Sequence, residues 1–229
     1  MLTKNQYLKP YLNLIIKESI NNIDYIKNKE IAAEIGGVYD KEINTIDCKQ
    51  KQFTFKNHWF NRDGSFDFKL TNLSDDLSLM FIRCNKLRYL PEHFTIPEGV
   101  VNCASMFGNC INLEQLPENF TLPSTLKYCE HMFYDCESLF NISFNLPNGV
   151  VDIHEMFAHC LSLEIIIDKF TIPNSVESCY GLFSGCESLC NVPAKFTIPA
   201  ECNCNNMFIG CDNLTDDQKD VDQYKLLEI

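Results

Sequence analysis

Residues 103–123, CASMFGNCINLEQLPENFTLP, contain the pattern that decides the fold. A Met-Phe dipeptide, replaced once by Leu-Phe, recurs six times at spacings of 24 to 26 residues. A cysteine lies four residues after the first residue of each dipeptide, and a leucine lies three residues after each cysteine. The six cysteines of this column are Cys84, Cys110, Cys136, Cys160, Cys186 and Cys211. This self-similarity indicates six structural repeats of about 25 residues.

Two kinds of local structure are predicted within each repeat. Apolar residues at offsets −3, 0, +1, +4 and +7 from the Met share one side of an α-helix, so the pattern predicts a short helix. In the second repeat these residues are Cys103, Met106, Phe107, Cys110 and Leu113. The Phe-Thr-Leu-Pro stretch at 120–123 alternates instead, which predicts a short strand that ends at the proline, since proline cannot donate to a ladder.

The Met-Phe-x-x-Cys-x-x-Leu core resembles the cysteine-containing form of the BspA-type leucine-rich repeat, from about Leu73 to Leu214. The resemblance implies a non-enzymatic module that binds proteins or surfaces, of a kind found in bacterial surface proteins and in phage or parasite genomes. Secreted members of that family carry signal peptides. Because the start of this chain lacks the features of one, we do not expect the adhesin role.

We therefore predict an α/β leucine-rich-repeat solenoid of six turns over residues 73–214, because a single repeat cannot bury its apolar side alone. The third turn is two residues short between Leu139 and Phe144, which we expect to bend the ladder of strands. Thr215-Asp-Asp-Gln218 has the spacing of a capping box. It is followed by Val221, Tyr224 and Leu227 at helical spacing, so residues 215–229 are predicted to form a C-terminal capping helix.

The first 72 residues contain no repeat and are predicted to form an α+β segment that serves as a cap or a partner-binding subdomain. A helical stripe of Leu8, Leu12, Ile15, Ile16, Ile20, Ile23 and Ile26 is stopped by Gly36-Gly37. Two strand-like runs, Gln52–Phe60 and Ser65–Leu70, surround Asn61-Arg-Asp-Gly64 and predict a hairpin.

The alternative for this segment is a DNA-binding regulator with a winged helix-turn-helix. Ile31-Ala32-x-x-Ile35-Gly36, followed by Ile43, is close to that spacing, and the hairpin would be the wing. The reading helix would contain Asp40, Lys41, Glu42 and Asp47. Contact with DNA requires Arg and Lys rather than a net charge of −2, so we prefer the cap or partner-binding subdomain.

The net charge of −12 is concentrated in the repeats. Residues 1–72 carry +2, from eleven Lys and Arg and nine Asp and Glu, and residues 73–229 carry −14, from eight and twenty-two. Such a field repels phosphate and attracts basic partners. We expect a protein partner with a basic surface, no direct binding of nucleic acid by the repeats, and no membrane binding. Exposed strand edges would also permit a homodimer.

Thirteen cysteines suggest disulfides at first, but ten of them fall in two columns of the repeat, where a small buried hydrophobe is needed. In a helix Cys103 and Cys110 would be about 10 Å apart, beyond the roughly 7 Å that a disulfide permits. We expect reduced thiols and a cytoplasmic protein. Four cysteines near the last repeat match a zinc site poorly, so no metal or cofactor is predicted. They are Cys190, Cys202, Cys204 and Cys211.

Catalytic motifs are absent: there is no phosphate-binding glycine loop, no Gly-x-Ser-x-Gly and no His-Glu-x-x-His. His131, His154 and His159 share no common offset in the repeat and are predicted to be surface residues. Function is expected at the variable positions after each repeat leucine, where large apolar groups stand among acids. The candidate partner-binding residues are Arg88, Tyr89, Glu114, Gln115, Phe140, Asn141, Glu164 and Ile165.

Tyr89, Phe140 and Ile165 are the large apolar members of this set. They form an exposed binding patch unless one or two of them tuck under a neighbouring turn. The predicted biological role is an adaptor, or a phage-type inhibitor of a host enzyme that handles nucleic acid or acts in defence, since such enzymes have basic surfaces.

Overall fold

The computed structural model describes residues 24–225. The chain groups into two compact units, one formed by Met1–Lys51 with Phe68–Asn72 and the other by Gln52–Asp67 with Leu73–Ile229. The functional division into residues 1–72, 73–214 and 215–229 stays a prediction.

In the first unit, a helix (α1) covers residues 24–34 and is followed by a small sheet. As predicted, the helix ends before the glycine pair, and Gly36 has a φ of +69°, which glycine adopts without strain. The predicted helical stripe from Leu8 to Ile23 lies outside the described residues. The sheet has the order β1-β2-β3, with β2 antiparallel to β1 and parallel to β3. The strands are β1 (Val38–Asp40), β2 (Thr45–Asp47) and β3 (Lys69–Thr71).

The helix-turn-helix prediction is wrong for residues 31–47. Residues that would form the reading helix pair as the antiparallel strands β1 and β2. The turn between them is held by Asp40, whose Oδ1 accepts from the Glu42 amide at 2.9 Å, and by Asn44, whose Oδ1 accepts from the Tyr39 hydroxyl at 2.8 Å. Asn44 has a φ of +48°, a conformation that asparagine tolerates in turns but that interrupts a helix.

The predicted hairpin around residues 61–64 is also wrong, although its turn is present. The Asn61 amide donates to the Ser65 carbonyl at 2.8 Å, which closes the turn. On one side the chain forms a 3-10 helix, η1 (Asn57–Trp59), and on the other side β3 pairs with β2. Phe55 and Phe66, which the sequence pattern placed in strands, are buried in the aromatic core of the second unit instead.

The second unit is built from successive repeats joined by backbone hydrogen bonds, with few regular strands. Equivalent residues of successive repeats form parallel bridges, and a first ladder connects Asp76, Asn102, Tyr128, Asp152, Ser178 and Asn203. A second ladder follows the repeat leucines. It joins Tyr89 to Gln115 and continues as the parallel strands β4 (Asn141–Ile142) and β5 (Ile165–Ile166).

The α-helix predicted in each repeat is wrong. Between the two ladders the chain forms consecutive turns whose hydrogen bonds span three residues, such as Met106 N to Cys103 O at 3.1 Å. Ser105 and Asn109 have φ values of +52° and +60°, which no right-handed helix contains. The helix was predicted wrongly because consecutive turns of this kind bury residues at the same sequence offsets as a helix does.

Amides not used within these turns bind the next repeat. In the second repeat the amides of four alternate residues donate to carbonyl oxygens of the third, for example Phe107 N to Met132 O at 2.8 Å. We call these four N–H groups of a repeat its amide row. The amide row of the second repeat consists of Cys103, Ser105, Phe107 and Asn109.

Phenylalanine rings stack along the centre of the second unit. Rings of the Met-Phe column lie 5.2 to 5.8 Å apart between centroids and within 8° of parallel, from Phe81 through Phe107, Phe133, Phe157 and Phe183 to Phe208. A second phenylalanine column, beginning with Phe94 and Phe120, is also buried and contacts the first. Burial of each ring contributes roughly 1.5–3 kcal/mol and each aromatic pair about 0.5–1.5 kcal/mol more.

Residues 52–67 continue this stack beyond the first repeat, which the sequence did not indicate. The ring of Phe55 lies 4.4 Å from that of Phe81. Its amide donates to Met80 O at 2.7 Å, in the same way that Phe81 N donates to Met106 O. The segment was missed because it contains neither the cysteine nor the leucine of the repeat.

The C-terminal capping box is present, but the predicted long helix is not formed up to residue 225. Thr215 accepts from Gln218 N at 3.3 Å and its own amide donates to Gln218 Oε1 at 2.9 Å. The helix, α2 (Asp216–Lys219), is short and leads into a 3-10 helix, η2 (Val221–Tyr224). The Tyr224 ring packs on the last rings of both phenylalanine columns, and Leu227 lies outside the described residues.

Candidate functional site

The second ladder brings the candidate partner-binding residues together on consecutive repeats. We call the eight residues from Arg88 to Ile165 identified above the post-leucine surface. Glu114 N donates to Arg88 O at 3.1 Å, Phe140 N to Glu114 O at 3.2 Å and Glu164 N to Phe140 O at 3.0 Å. Because the leucine before each pair is buried, the backbone holds these positions in register while their side chains remain free to vary.

Phe140 and Ile165 form the exposed apolar part of this surface. Their exposed fractions are 43% and 45%, and Ile165 N donates to Phe140 O at 3.4 Å, so the two residues lie on adjacent repeats, Phe140 directly before β4 and Ile165 in β5. Tyr89, the third large residue of the prediction, is half-buried. Exposed apolar groups held on a rigid backbone are suited to bury area against a partner at little cost in conformational entropy.

Tyr89, Arg88 and Glu114 are paired with one another. The Tyr89 hydroxyl and the Arg88 guanidinium both donate to the Glu114 carboxylate, and the Arg88 Nε to Glu114 Oε1 distance is 3.0 Å. These hydrogen bonds, from Tyr89 first and then Arg88, lower the pKa of Glu114, and the carboxylate raises the pKa of both donors. Glu114 is therefore hydrogen-bonded to two neighbouring side chains of the same protein and is not a free carboxylate.

A cleft of about 390 Å³ borders the post-leucine surface beside Gln115 and Asn141. It is lined by Glu92, Gln115, Leu116, Glu118, Asn141 and Ser143. Two carboxylates and two amide side chains suit a lysine or arginine side chain of a partner. Sequence reasoning did not select Glu92 and Glu118. The available signal was their shared Leu-Pro-Glu context in the first two repeats.

The structure clusters two histidines that sequence reasoning treated as separate surface residues. The rings of His131 and His154 lie 4.5 Å apart at 87°. His131 Nε2 is 3.1 Å from Glu155 Oε2, and His154 Nδ1 is 2.8 Å from Asp152 Oδ1. The side chains of both histidines are about one-third exposed. Neighbours on successive repeats differ in sequence offset, so this proximity was not visible in the sequence. Over residues 24–225, no three His, Cys, Asp or Glu side chains are arranged to hold a metal ion.

The cysteine column after the Met-Phe dipeptide has a structural role that the sequence did not reveal. Its thiols donate to a phenylalanine carbonyl of the preceding repeat, as in Cys110 Sγ to Phe81 O at 3.0 Å and Cys136 Sγ to Phe107 O at 3.2 Å. Burial raises the pKa of these thiols, so they stay protonated and able to donate.

Two cysteines outside the repeat columns differ from each other. Cys202 is buried, with its sulfur 3.1 Å from that of Cys179. Cys190 is exposed, at the position that follows the leucine of the fifth repeat.

A family model described as "Mycoplasma protein of unknown function, DUF285" matches residues 49–148 and 141–224. The fold is also similar to the crystal structure of a leucine-rich-repeat protein from T. pallidum, with 19% identity and a TM-score of 0.47, covering 80% of this chain and 89% of that one. No curated protein matches the sequence. No helix within residues 24–225 has the length and apolar character needed to cross a membrane.

Proposed function

We propose that this chain, which belongs to the DUF285 family, is a non-enzymatic protein-interaction module. The observation that carries the proposal is the exposure of Phe140 and Ile165 on adjacent repeats that are joined by backbone hydrogen bonds above a buried core. Repeat proteins use such ordered surfaces to bind other proteins, because stacking fixes the backbone while leaving the outward side chains free to vary.

The architecture proposed for this module is a solenoid of six turns over residues 73–214. Bridges between equivalent residues in all six repeats support it. We further propose that residues 52–67 close its first turn and that residues 215–225 partly cover its last. Phe55 continues the ring stack at one end, and Tyr224 packs on it at the other.

The proposed partner is a protein with a basic surface. Residues 73–229 carry a net charge of −14, and the cleft beside Gln115 and Asn141 is lined by the carboxylates of Glu92 and Glu118. An adaptor role, or inhibition of an enzyme that handles nucleic acid or acts in defence, fits this charge, because such enzymes have basic surfaces. The protonated thiols that donate to carbonyls support a reducing, cytoplasmic setting.

The test is affinity capture from lysate in reducing buffer, at low and physiological salt, with three forms of the tagged protein. These are the wild type, the double variant Phe140→Asp with Ile165→Asp, and Tyr128→Asp. Tyr128 is a matched control because it is 46% exposed but lies on the first ladder. We expect one stoichiometric protein partner, retained by the control, weakened by salt and lost from the double variant.

Equal capture by the wild type and the double variant would contradict the assignment of the surface. Binding that does not change with salt would contradict the acidic character of the interaction. Recovery of nucleic acid instead of protein would contradict the proposed class of partner.

A further inference from the structure

The amide rows of the repeats end in an unpaired row. At each of the five junctions between repeats, four amides of one repeat donate to four carbonyls of the next. At the last junction the bonds are Cys179 N to Asn203 O, Gly181 N to Asn205 O, Phe183 N to Met207 O and Gly185 N to Ile209 O, at 2.9, 2.9, 3.0 and 2.7 Å.

The equivalent amides of the sixth repeat belong to Cys204, Asn206, Phe208 and Gly210. In the part of the chain that the structure describes, these four N–H groups have no acceptor. Because the carbonyls of each repeat face the preceding one, this end presents donors only. We call it the open edge.

The backbone conformation of the open edge favours binding of negatively polarised oxygen. Asn206 and Gly210 have φ values of +59° and +74°, as the equivalent residues of the earlier repeats do. Successive amides in such alternating conformations point to the same side and form concave sites for oxygen atoms. In the five preceding repeats the atoms that these sites bind are peptide carbonyl oxygens. A peptide carbonyl is therefore a ligand that fits the open edge.

A cleft of about 250 Å³ lies against the open edge and gives a ligand access to it. Its lining includes residues 204–209, Lys219 and Val221. Ile209 is 59% exposed at its rim, an apolar group with no cover among residues 24–225. Asn206 and Gly210 are exposed as well, whereas Cys204 and Phe208 are buried, so α2 and η2 leave part of this edge accessible.

Charge near the open edge selects the kind of peptide. The segment that follows it has five exposed carboxylates against two lysines, Lys219 and Lys225. The carboxylates are those of Asp212, Asp216, Asp217, Asp220 and Asp222. The one charged side chain that lines the cleft itself is Lys219, but the segment around it is negative in sum, which disfavours a free anion. A second copy of this chain is disfavoured because it would bring the same negative charge. Its first repeat also lacks a free row of carbonyls, since Met80 O already accepts from Phe55 N.

We propose that the open edge binds an extended, basic segment of a partner protein, whose main-chain carbonyls accept from the four amides as the next repeat would. This is strand addition at an unpaired edge, with lysine or arginine side chains set against the carboxylates. The proposal rests on the proposed function for the charge of the partner, and it adds a second contact site apart from the post-leucine surface.

The first experiment is amide hydrogen exchange on the free full-length protein. Amides of Cys204, Asn206, Phe208 and Gly210 are expected to exchange much faster than the equivalent Cys179, Gly181, Phe183 and Gly185. Equal protection of both sets would overturn the proposal, because the edge would then be closed by the chain itself.

The second experiment titrates the ¹⁵N-labelled protein with a capped seven-residue peptide of alternating lysine and valine. We expect shifts in the signals of the open edge and none with a glutamate-valine peptide. N-methylation of alternate peptide bonds, on the side away from the edge, should be tolerated, because the edge needs peptide carbonyls and not peptide amides.

A charge variant separates the two sites. Ile209→Arg should weaken binding of the lysine-valine peptide by about tenfold at low salt, since it adds like charge beside the edge. The matched variant Ile43→Arg, at a residue that is 64% exposed and lies outside both sites, should leave it unchanged. Shifts only at the post-leucine surface would overturn this proposal and leave the proposed function standing. Shifts at the open edge, with no protein captured from lysate, would support the edge and count against the proposed function.

Discussion

Phe107 and Phe133 occupy the same buried position in two neighbouring repeats, and their rings stack at 5.3 Å and 8°. Glu114 and Phe140, which follow the leucines of the same two repeats, differ in charge, size and exposure although the backbone joins them directly. The buried side therefore repeats because each ring must fit the next one. The post-leucine surface varies because the backbone alone keeps it in register. Stability thus depends on the buried positions, and the proposed binding depends on other positions of the same repeat.

The largest expected effect is on the buried side, where Phe133→Ala should destabilise the protein by roughly 3–5 kcal/mol. The ring is fully buried and stacks on Phe107 and on Phe157, so its removal leaves a cavity between two repeats. Phe140→Ala, the matched change at an exposed position, should stay within about 0.5 kcal/mol of the wild type. Urea denaturation measures both. Similar losses for the two variants would show that Phe140 also belongs to the core.

How far the sequence predicted this division depends on what each residue contacts. The burial of Met106 and Phe107 followed from periodicity alone, since the same column recurs in every repeat. Their local structure did not, because a helix and a series of three-residue turns bury the same offsets. Phe55 was missed because a terminal element needs only to fit the last ring and does not have to repeat the sequence pattern.

For the candidate surface, the sequence predicted the exposure of two residues but not the contacts between side chains. The leucine column located Phe140 and Ile165 correctly on the exposed side. The contact between His131 and His154, and the pairing of Glu114 with Tyr89, depend on the register between repeats. That register is set by backbone bonds across the ladders, which leave no mark in a single sequence.

A smaller effect distinguishes two cysteines from different columns, which the sequence treated alike. Cys136 donates to Phe107 O at 3.2 Å, whereas the thiol of Cys103, equally buried, has no acceptor among residues 24–225. Cys136→Ala and Cys103→Ala should each cost about 1–2 kcal/mol through lost packing. The Cys136 variant should lose about 0.5 kcal/mol more, since a thiol is a weak donor. Denaturation midpoints compared in reducing buffer measure the difference. Equal losses of stability would mean that the thiol hydrogen bond contributes nothing and that only the size of the side chain matters at these positions.

The smallest expected effect tests whether Glu114 belongs to the structure or to the binding surface. Its carboxylate raises the pKa of Tyr89 and has its own pKa lowered by Tyr89 and Arg88. Because the folded state depresses the pKa of Glu114, its contribution to stability is complete above the ordinary value for glutamate. That contribution is lost as the pH falls through the folded value.

Glu114→Gln should therefore bring the pKa of Tyr89 back towards its ordinary value and remove this part of the pH dependence at low pH. NMR titration of ¹³C-labelled tyrosine, with Glu164→Gln as the control on the next but one repeat, measures the change. A Tyr89 titration that is the same in the wild type and both variants would mean that Glu114 is free in solution. It would then be available to a basic partner, and Glu114 would be a candidate binding position rather than a structural one.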